Sequence, residues 1–274
     1  MRPHPVDRLR TIVEQTLELA TASLERLVAI QFVDRSVALG SLAFTALVPL
    51  LLISAAYVPG SDELPDELIK RFHLSGSSAD AVRQVFTQPD DVQQSISWIG
   101  GVLLIISSLS FTRGLQRVYE HAWQLETRGL RGTRAGLVWI GSIVLWTTVF
   151  ATARHWLVDL GGPLTAIVVL LGGNALLWLW SPWILLGKRV AWHRLVPTAL
   201  ITSAAMSVVS VGSVLYMPQA IESSSASYGP IGIAIAFVSW LVGIGFALVA
   251  CASVGAVLGE RMSTPAEHTA SGAS

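Results

Sequence analysis

The run that decides the fold lies near the end of the chain, at Ser227–Glu260: SYGPIGIAIAFVSWLVGIGFALVACASVGAVLGE. It carries no charge between Tyr228 and Gly259, and about 20 apolar residues in a helix suffice to cross the roughly 30 Å hydrocarbon core of a bilayer. The whole chain has the same character, because 52% of its 274 residues are hydrophobic, 13% are charged and its mean hydropathy is +0.59. These values predict an integral membrane protein.

The hydropathy pattern predicts six transmembrane helices. Only helices suit these segments, because hydrocarbon offers no partner to an unpaired backbone group. The sequence DLGGP at 159–163 predicts a tight antiparallel hairpin between the third and fourth spans. The predicted spans are residues 36–58, 95–112, 136–157, 164–187, 195–216 and 230–258.

The distribution of basic residues predicts the orientation of the spans. Arginine and lysine concentrate before the first span, between the second and third, and between the fourth and fifth, whereas acidic residues predominate in 59–94. Basic connections stay in the cytoplasm. Both termini are therefore expected to be cytoplasmic.

The segments outside the spans predict further structure. Residues 1–35 are expected to form an amphipathic helix in the cytoplasmic interface, and residues 112–126 a second interfacial helix. Residues 59–94 are expected to cap the outer side, and the polar tail 259–274 to be disordered. The apolar stripe of the first interfacial helix consists of Val6, Leu9, Val13, Leu17, Ala20, Leu24 and Leu27, and that of the second of Phe111, Leu115, Val118 and Ala122.

No catalytic or metal-binding constellation is evident in the sequence. The six histidines are scattered without a pair at metal-ligand spacing, and the serine-rich patches have no base nearby. The single cysteine, Cys251, excludes an intramolecular disulfide. We therefore expect no enzymatic activity, no catalytic residue, no metal and no cofactor. Without a basic surface of the required kind, we expect no nucleic-acid partner either.

Backbone irregularity within the spans indicates a candidate cavity. Pro49 removes a helix hydrogen bond in the first span, and the sequence Gly172-Gly173-Asn174, followed by Pro182, is expected to interrupt the fourth. Broken helices at membrane depth tend to line cavities. The hypothesis is a cavity open to one leaflet, and the residues expected to line it are Thr45, Asn174 and Trp178.

The last span begins after a predicted turn and contains a regular repeat of small residues. Tyr228 and Gly229 are expected to form a turn before it, either as a structural element or as the hinge of a gate. Within the span, small residues recur every four positions and predict close helix packing, as a spine of the bundle or as the face of a homo-oligomer. These residues are Gly243, Ala247, Cys251, Gly255 and Gly259.

Three stretches carry a family resemblance. They are DRSVALGSLAFTALVPLLLI at 34–53, FTRGLQRVYEHAW at 111–123 and SYGPIGIAIAFVSWL at 227–241. In this order and spacing they resemble the YihY/BrkB family of bacterial envelope proteins over about residues 25–260. The resemblance implies an all-helical, polytopic protein of the bacterial inner membrane with a cytoplasmic N-terminus. It also brings a virulence-factor label linked to serum resistance and a ribonuclease label that is regarded as a misassignment.

The sequence departs from the family pattern at two places. Many relatives end the last span with Gly-Ala-Glu, whereas Val257 follows Gly255 and Ala256 here, so no role of that acid transfers. In the first span Phe44 is followed by Thr45 rather than by tyrosine.

Two functional hypotheses follow, with membrane lipids as the expected partners in both. The first is movement or handling of a lipid-like, amphipathic envelope component. The alternative is a non-transporting envelope scaffold whose small-residue faces serve oligomerisation. Ribonuclease activity is a distant third.

Overall fold

The computed structural model describes residues 5–57 and 90–262, together with residues 66, 69, 70, 76, 79, 80 and 83. All regular structure in these residues is helical, which confirms the predicted all-α class. Two short 3-10 turns at Gly129–Gly132 and Trp192–Leu195 lie between long helices. The long helices are α1 (Pro5–Ala29), α2 (Phe32–Tyr57), α3 (Asp90–Ala122), α4 (Thr133–Leu185), α5 (Val196–Tyr228) and α6 (Pro230–Arg261).

Three of the described helical segments are long and apolar enough to cross a membrane. They are Val168–Leu185 in α4, Trp192–Tyr228 around α5, and Ile231–Arg261 in α6. A fourth results if the α1–α2 pair, bent by 62° between Ala29 and Phe32, is counted as one span. The membrane class is thus confirmed, whereas these helices alone do not confirm six spans.

The outer surface of the described helices is far more apolar than that of a soluble protein. Large apolar side chains point outward from several helices, including Leu145, Val168 and Val208, which is 72% exposed. Polar side chains such as Gln116 and Glu120 are buried, the latter with 1% of its surface exposed. Apolar surface of this extent marks contact with another apolar phase, here the lipid.

Helix α4 is a hairpin of two segments, α4a (residues 133–161) and α4b (residues 163–185). Gly162 is its one non-helical residue, with φ +73°, a conformation that glycine adopts without steric cost. Trp139 Nε1 donates to Ser181 Oγ at 3.0 Å, and Trp180 Nε1 donates to Ser142 Oγ at 3.0 Å. Both pairs are centred near residue 161, so the segments run antiparallel, as DLGGP predicts.

The described contacts divide the chain into two compact units. The first comprises Met1–Arg35, Gln116–Ser203 and Leu248–Ser274; the second comprises Ser36–Leu115 and Ala204–Ala247. Each unit has apolar packing of its own. In the second, the buried side chains Met217, Ile221 and Ala236 pack with Trp240 and Ile69, and the rings of Tyr216 and Trp240 stack at 5.7 Å.

Within the second unit, α2 and α6 approach closely at glycines. A Cβ on Gly40 would overlap the backbone of Val242, and a Cβ on Gly245 would overlap the carbonyl of Ser36. Gly243, only two residues from Gly245, faces open space. The backbones are therefore in contact at positions where only glycine fits.

Several boundaries differ from the sequence-based expectations. The interfacial helix expected at 112–126 is the last part of α3, which continues through residue 112, and its Leu115, Val118 and Ala122 are buried in protein. Helix α5 continues past residue 216 to Tyr228. At about 1.5 Å per residue its 33 residues are close to 50 Å long, more than a bilayer core requires.

The interruption expected at Gly172–Asn174 is wrong, because α4b is helical throughout these residues. Two glycines cost a helix only about 2 kcal/mol in propensity, which packing can offset. Pro49 and Pro182 also lie inside helices. The outer cap expected at 59–94 lies largely outside the described residues, as does the tail from residue 263, although α6 itself continues to Arg261.

Gly245→Ala should destabilise the protein by about 1–3 kcal/mol, because its methyl group overlaps the Ser36 carbonyl. Gly243→Ala is the matched control on the same helix and should be stabilising by about 0.5–1 kcal/mol through helix propensity. Thermal unfolding of the purified variants in detergent measures both. Equal effects of the two substitutions would contradict the close contact between α2 and α6.

Candidate functional site

Three helices of the first unit end in left-handed caps. Gln31 after α1, Gln124 after α3 and Gly187 after α4 have φ values of +54°, +50° and +64°. After α3, the N–H groups of Gln124 and Leu125 donate to the carbonyls of His121 and Glu120, at 3.1 and 2.7 Å. The same pair of bonds closes α4, and together they form the Schellman motif.

An arginine donates to a terminal carbonyl at each of these helix ends. Arg35 Nε donates to the Ile30 carbonyl after α1 at 2.7 Å, and Arg26 Nη1 donates to the Ala122 carbonyl of α3 at 2.7 Å. Arg189 Nε donates to the Leu186 carbonyl after α4 at 2.9 Å. A cation near a helix C-terminus also interacts favourably with the negative end of the helix dipole, and this interaction stabilises the helix by about 0.3–1 kcal/mol.

The carboxylate of Glu120 is the buried centre of this region. Its Oε1 accepts hydrogen bonds from Gln116 Nε2 at 2.8 Å, from the Arg128 backbone N–H at 3.2 Å and from Arg189 Nη2 at 2.8 Å. Arg189 also donates to the Glu126 carbonyl at 2.8 Å. One glutamate on α3 thereby fixes the connection before α4 and the connection after it.

A second ion pair joins α1 to the end of α6. Arg26 contacts Glu260 with two bonds, of 2.7 and 3.3 Å, and its side chain is 11% exposed. The neighbouring Gly259 has no space for a Cβ, which would overlap the Arg194 carbonyl. We call Arg26, Arg35, Glu120, Arg128, Arg189 and Glu260 the helix-end cluster.

The helix-end cluster contains more arginines than carboxylates, and burial shifts the pKa values of two groups in or beside it. Burial, reinforced by repulsion from Arg117, lowers the pKa of Arg35 below the usual arginine range. Burial likewise raises the pKa of the Tyr119 phenol, which stays neutral beside Glu120. The four arginines and two glutamates of the cluster leave it with a net positive charge.

Helix α1 presents distinct faces around its axis. Arg26 and the buried Ile30 point into the first unit. Leu17, Leu24 and Val28, the last 80% exposed, point to the opposite side. The exposed face includes residues of the stripe that predicts an interfacial helix.

The residues predicted to line a cavity belong to both units. Thr45 is exposed in the second unit and its hydroxyl donates to the Ser41 carbonyl of its own helix at 2.9 Å. Pro49 is buried in the same unit. In the first unit, Asn174 Nδ2 donates to Ser203 Oγ at 2.9 Å, and Trp178 is half-buried. The cavity lined by Thr45, Asn174 and Trp178 remains a prediction.

The remaining predicted residues lie at helix ends. Pro182 is buried, and its carbonyl accepts the Leu186 N–H at 2.9 Å. Gly229, with φ +61°, forms the turn between α5 and α6, where its N–H donates to the Ser225 carbonyl at 2.8 Å. Tyr228 is 67% exposed. The turn after Tyr228 lies where the sequence places it.

The small residues of α6 do not share one environment. Gly243 faces open space, Ala247 is half-buried, and Cys251 is buried with its thiol 3.9 Å from the Ile201 carbonyl. Gly255 and Gly259 contact the α5 end of the first unit, where a Cβ on Gly255 would overlap Thr198. A four-residue repeat advances about 40° per step around an α-helix, so this stripe winds around α6.

The sequence pattern shows the arginines of the cluster but not their partners. Glu120 is the only acid in residues 111–123, and Gln116 precedes it by four residues. A lone acid in a basic helical segment with such a neighbour is the signal that could have indicated a buried ion pair. Among the residues that the structure describes, no three potential metal ligands come together.

Long apolar helices, apolar surfaces and charged groups gathered at helix ends define an integral membrane protein. A family model described as "Virulence factor BrkB" matches residues 23–273, nearly the whole chain, and the protein belongs to this family. The resemblance seen in the sequence is thereby confirmed. No curated protein and no solved structure matches the chain.

Arg189→Gln should lower the free energy of unfolding by about 1–3 kcal/mol, because it leaves the buried Glu120 carboxylate without its cation. Adding Glu120→Gln should restore part of this loss, because two neutral amides are less costly to bury than one unpaired charge. Thermal and denaturant unfolding in detergent measure the effects.

Arg83→Gln provides the control for this prediction. Arg83 pairs with Asp66 at 3.1 Å, but both side chains are more than half exposed, so the loss should stay below about 1 kcal/mol. If Arg189→Gln lowers the free energy of unfolding no more than Arg83→Gln does, the buried ion pair of Glu120 stabilises the protein no more than an exposed one.

Proposed function

We propose that this protein handles a lipid-like, amphipathic component of the bacterial envelope in the inner membrane, and that α4b presents a polar contact to that molecule. The family membership and the apolar helix surfaces support residence in a membrane. The observation that carries the proposal is the environment of Asn174.

Asn174 lies near the middle of α4b, within the apolar segment Val168–Leu185. Its amide nitrogen donates to Ser203 Oγ at 2.9 Å. Within the described part of the chain its amide oxygen accepts no hydrogen bond, and the side chain is half-buried. An unsatisfied polar group at membrane depth is costly, so it favours a ligand that supplies a donor.

Other polar side chains of the apolar helices differ from Asn174. Thr147 is exposed, and its hydroxyl donates to the Ile143 and Val144 carbonyls of its own helix, at 2.9 and 3.0 Å. This local bond satisfies the hydroxyl without any ligand. Asn174 is therefore the stronger candidate for a functional polar group.

The alternative function is a non-transporting scaffold. The contact of Asn174 with Ser203 supports it, because polar side chains also fasten helices to one another in membranes. In that case Asn174 serves stability alone, and the protein acts through partners or through copies of itself.

In liposomes, the purified protein should accelerate the passage of fluorescent phospholipids between leaflets, and Asn174→Leu should slow this passage. Loss of one hydrogen bond of about 1 kcal/mol corresponds to roughly a fivefold lower rate. Thr147→Val is the matched control and should leave the rate unchanged. Dithionite quenching of the outer leaflet measures the passage.

The scaffold predicts a different result. If the leakage-corrected rate across a panel of lipids equals that of empty liposomes, carriage is excluded under these conditions. If Asn174→Leu lowers stability but not the rate, the contact with Ser203 serves packing alone.

We also propose six spans with both termini in the cytoplasm. The hairpin of α4 supports two crossings in that helix, and the unequal distribution of basic residues supports the orientation. In this arrangement the connections near Gln124 and Ala191 share the cytoplasmic side, and the turn near Ser227 lies outside.

Cysteine labelling in intact cells tests this topology. In a Cys251→Ser background, Gln124→Cys and Ala191→Cys should resist a membrane-impermeant maleimide, and Ser227→Cys should react. All three native positions are exposed. Labelling that places Gln124→Cys and Ala191→Cys on different sides would mean that α4 crosses the membrane once and would contradict six spans.

A further inference from the structure

Three cations lie around the end of α4b with one carboxylate among them. Arg189 pairs with the Glu120 carboxylate, Arg128 donates its backbone N–H to the same carboxylate, and Lys188 precedes Arg189 in the chain. The exposed Glu126 contributes its main-chain carbonyl to Arg189. Three cations against the carboxylates of Glu120 and Glu126 leave a net positive charge.

Arg128 has no acceptor for its side chain within the described part of the chain. Its guanidinium lies against Gly187, with Nη1 buried and without a hydrogen-bond partner. A buried donor without a partner is costly, and more so when it is charged. Nη1 itself is covered, but the residue as a whole is only half-buried, so a ligand can approach the guanidinium from the side of its other nitrogens.

Gly187 makes this position of Arg128 feasible. Its φ of +64° closes α4b with the Schellman motif, and a Cβ there would overlap the guanidinium of Arg128. The same glycine thus ends the helix and leaves room for an arginine at the helix C-terminus.

Lys188 is held by an aromatic ring rather than by a carboxylate. Its Nζ lies 4.7 Å from the centre of the Trp183 ring, a cation–π contact. Its backbone is left-handed, with φ +63°, which is uncommon for a residue with a side chain. The ammonium group is thereby fixed on the same helix end as Arg128.

The depth of these residues suits a lipid phosphate. The apolar segment of α4b ends at Leu185, immediately before Gly187, Lys188 and Arg189. Trp180 and Trp183 lie in its last turns, with ring centres 5.3 Å apart, and tryptophan favours the level of the headgroups. Tryptophans and cations at the end of an apolar segment are typical of the headgroup level of a bilayer.

We propose that Arg128, Lys188 and Arg189 bind a phosphate group, supplied by an anionic lipid headgroup or by a free phosphate. Guanidinium and phosphate form charge-assisted hydrogen bonds that are shorter and stronger than neutral ones. The phosphate supplies the acceptor that Arg128 lacks and balances the excess charge. This site does not depend on whether the protein carries lipid or acts as a scaffold.

Equilibrium binding to the purified full-length protein in a neutral detergent tests the site. The probes are inorganic phosphate, a short-chain phosphatidylglycerol and a diacylglycerol of the same chain length that lacks phosphate. Arg128→Gln should weaken binding of the phosphate-bearing probe about tenfold. Arg134→Gln, at an exposed arginine that follows the same connection, is the control and should bind as the unaltered protein does.

Two further variants separate binding from folding. Without ligand, Arg128→Gln should unfold no earlier than the unaltered protein, because no described side-chain bond of Arg128 is lost. Lys188→Gln, at an exposed position, should keep the fold and still weaken binding about threefold, because an exposed ion pair contributes little.

The three probes identify the source of the phosphate. Binding of phosphatidylglycerol alone identifies a lipid headgroup, binding of inorganic phosphate alone identifies a soluble anion, and binding of both identifies a general phosphate site. Absence of binding to either, equal affinity for diacylglycerol, or equal losses in Arg128→Gln and Arg134→Gln would overturn the proposal.

Discussion

The first unit depends on how the ends of its helices satisfy their hydrogen bonds. The last carbonyls of a helix have no partner within the helix, and in a membrane protein these ends meet the boundary between hydrocarbon and water. Arg26, Arg35 and Arg189 each donate to such a carbonyl, at 2.7 to 2.9 Å. These arginines therefore complete the hydrogen bonding of the helix ends.

Glu120 connects these helix ends to one another. Because its carboxylate is buried, it requires several donors, and they come from α3 itself and from the connections on both sides of α4. The hairpin of α4 is tied a second time by Trp139 with Ser181 and by Trp180 with Ser142. Polar contacts thus join the two segments of a hairpin whose outer faces are apolar.

Some of this architecture was predictable from sequence because its causes are local. The length of the apolar runs predicts membrane helices, DLGGP predicts the hairpin of α4, and Gly229 with Pro230 predicts the last turn. A weak local signal misleads at Gly172 and Gly173: two glycines lower helix propensity by only about 2 kcal/mol, and α4b stays helical through both.

The partners of the site depend on contacts that are distant in sequence. Glu120 and Arg189 are separated by 69 residues, and Arg26 and Glu260 by 234. Nothing in the local pattern around Arg128 shows that its guanidinium lies against Gly187. The small residues of α6 show a second limit of sequence patterns. A repeat of four residues does not stay on one face of an α-helix, so the residues from Gly243 to Gly259 lie on different sides of α6.

The attachment of α1 has a mechanical consequence. Arg26 fixes the rotation of this helix about its own axis, and Leu17, Leu24 and Val28 project from the side away from it. Rolling the helix would require the Arg26 contacts with both Glu260 and Ala122 to break together. A rotation of the N-terminal helix would therefore disturb the ends of α3 and α6 at the same time.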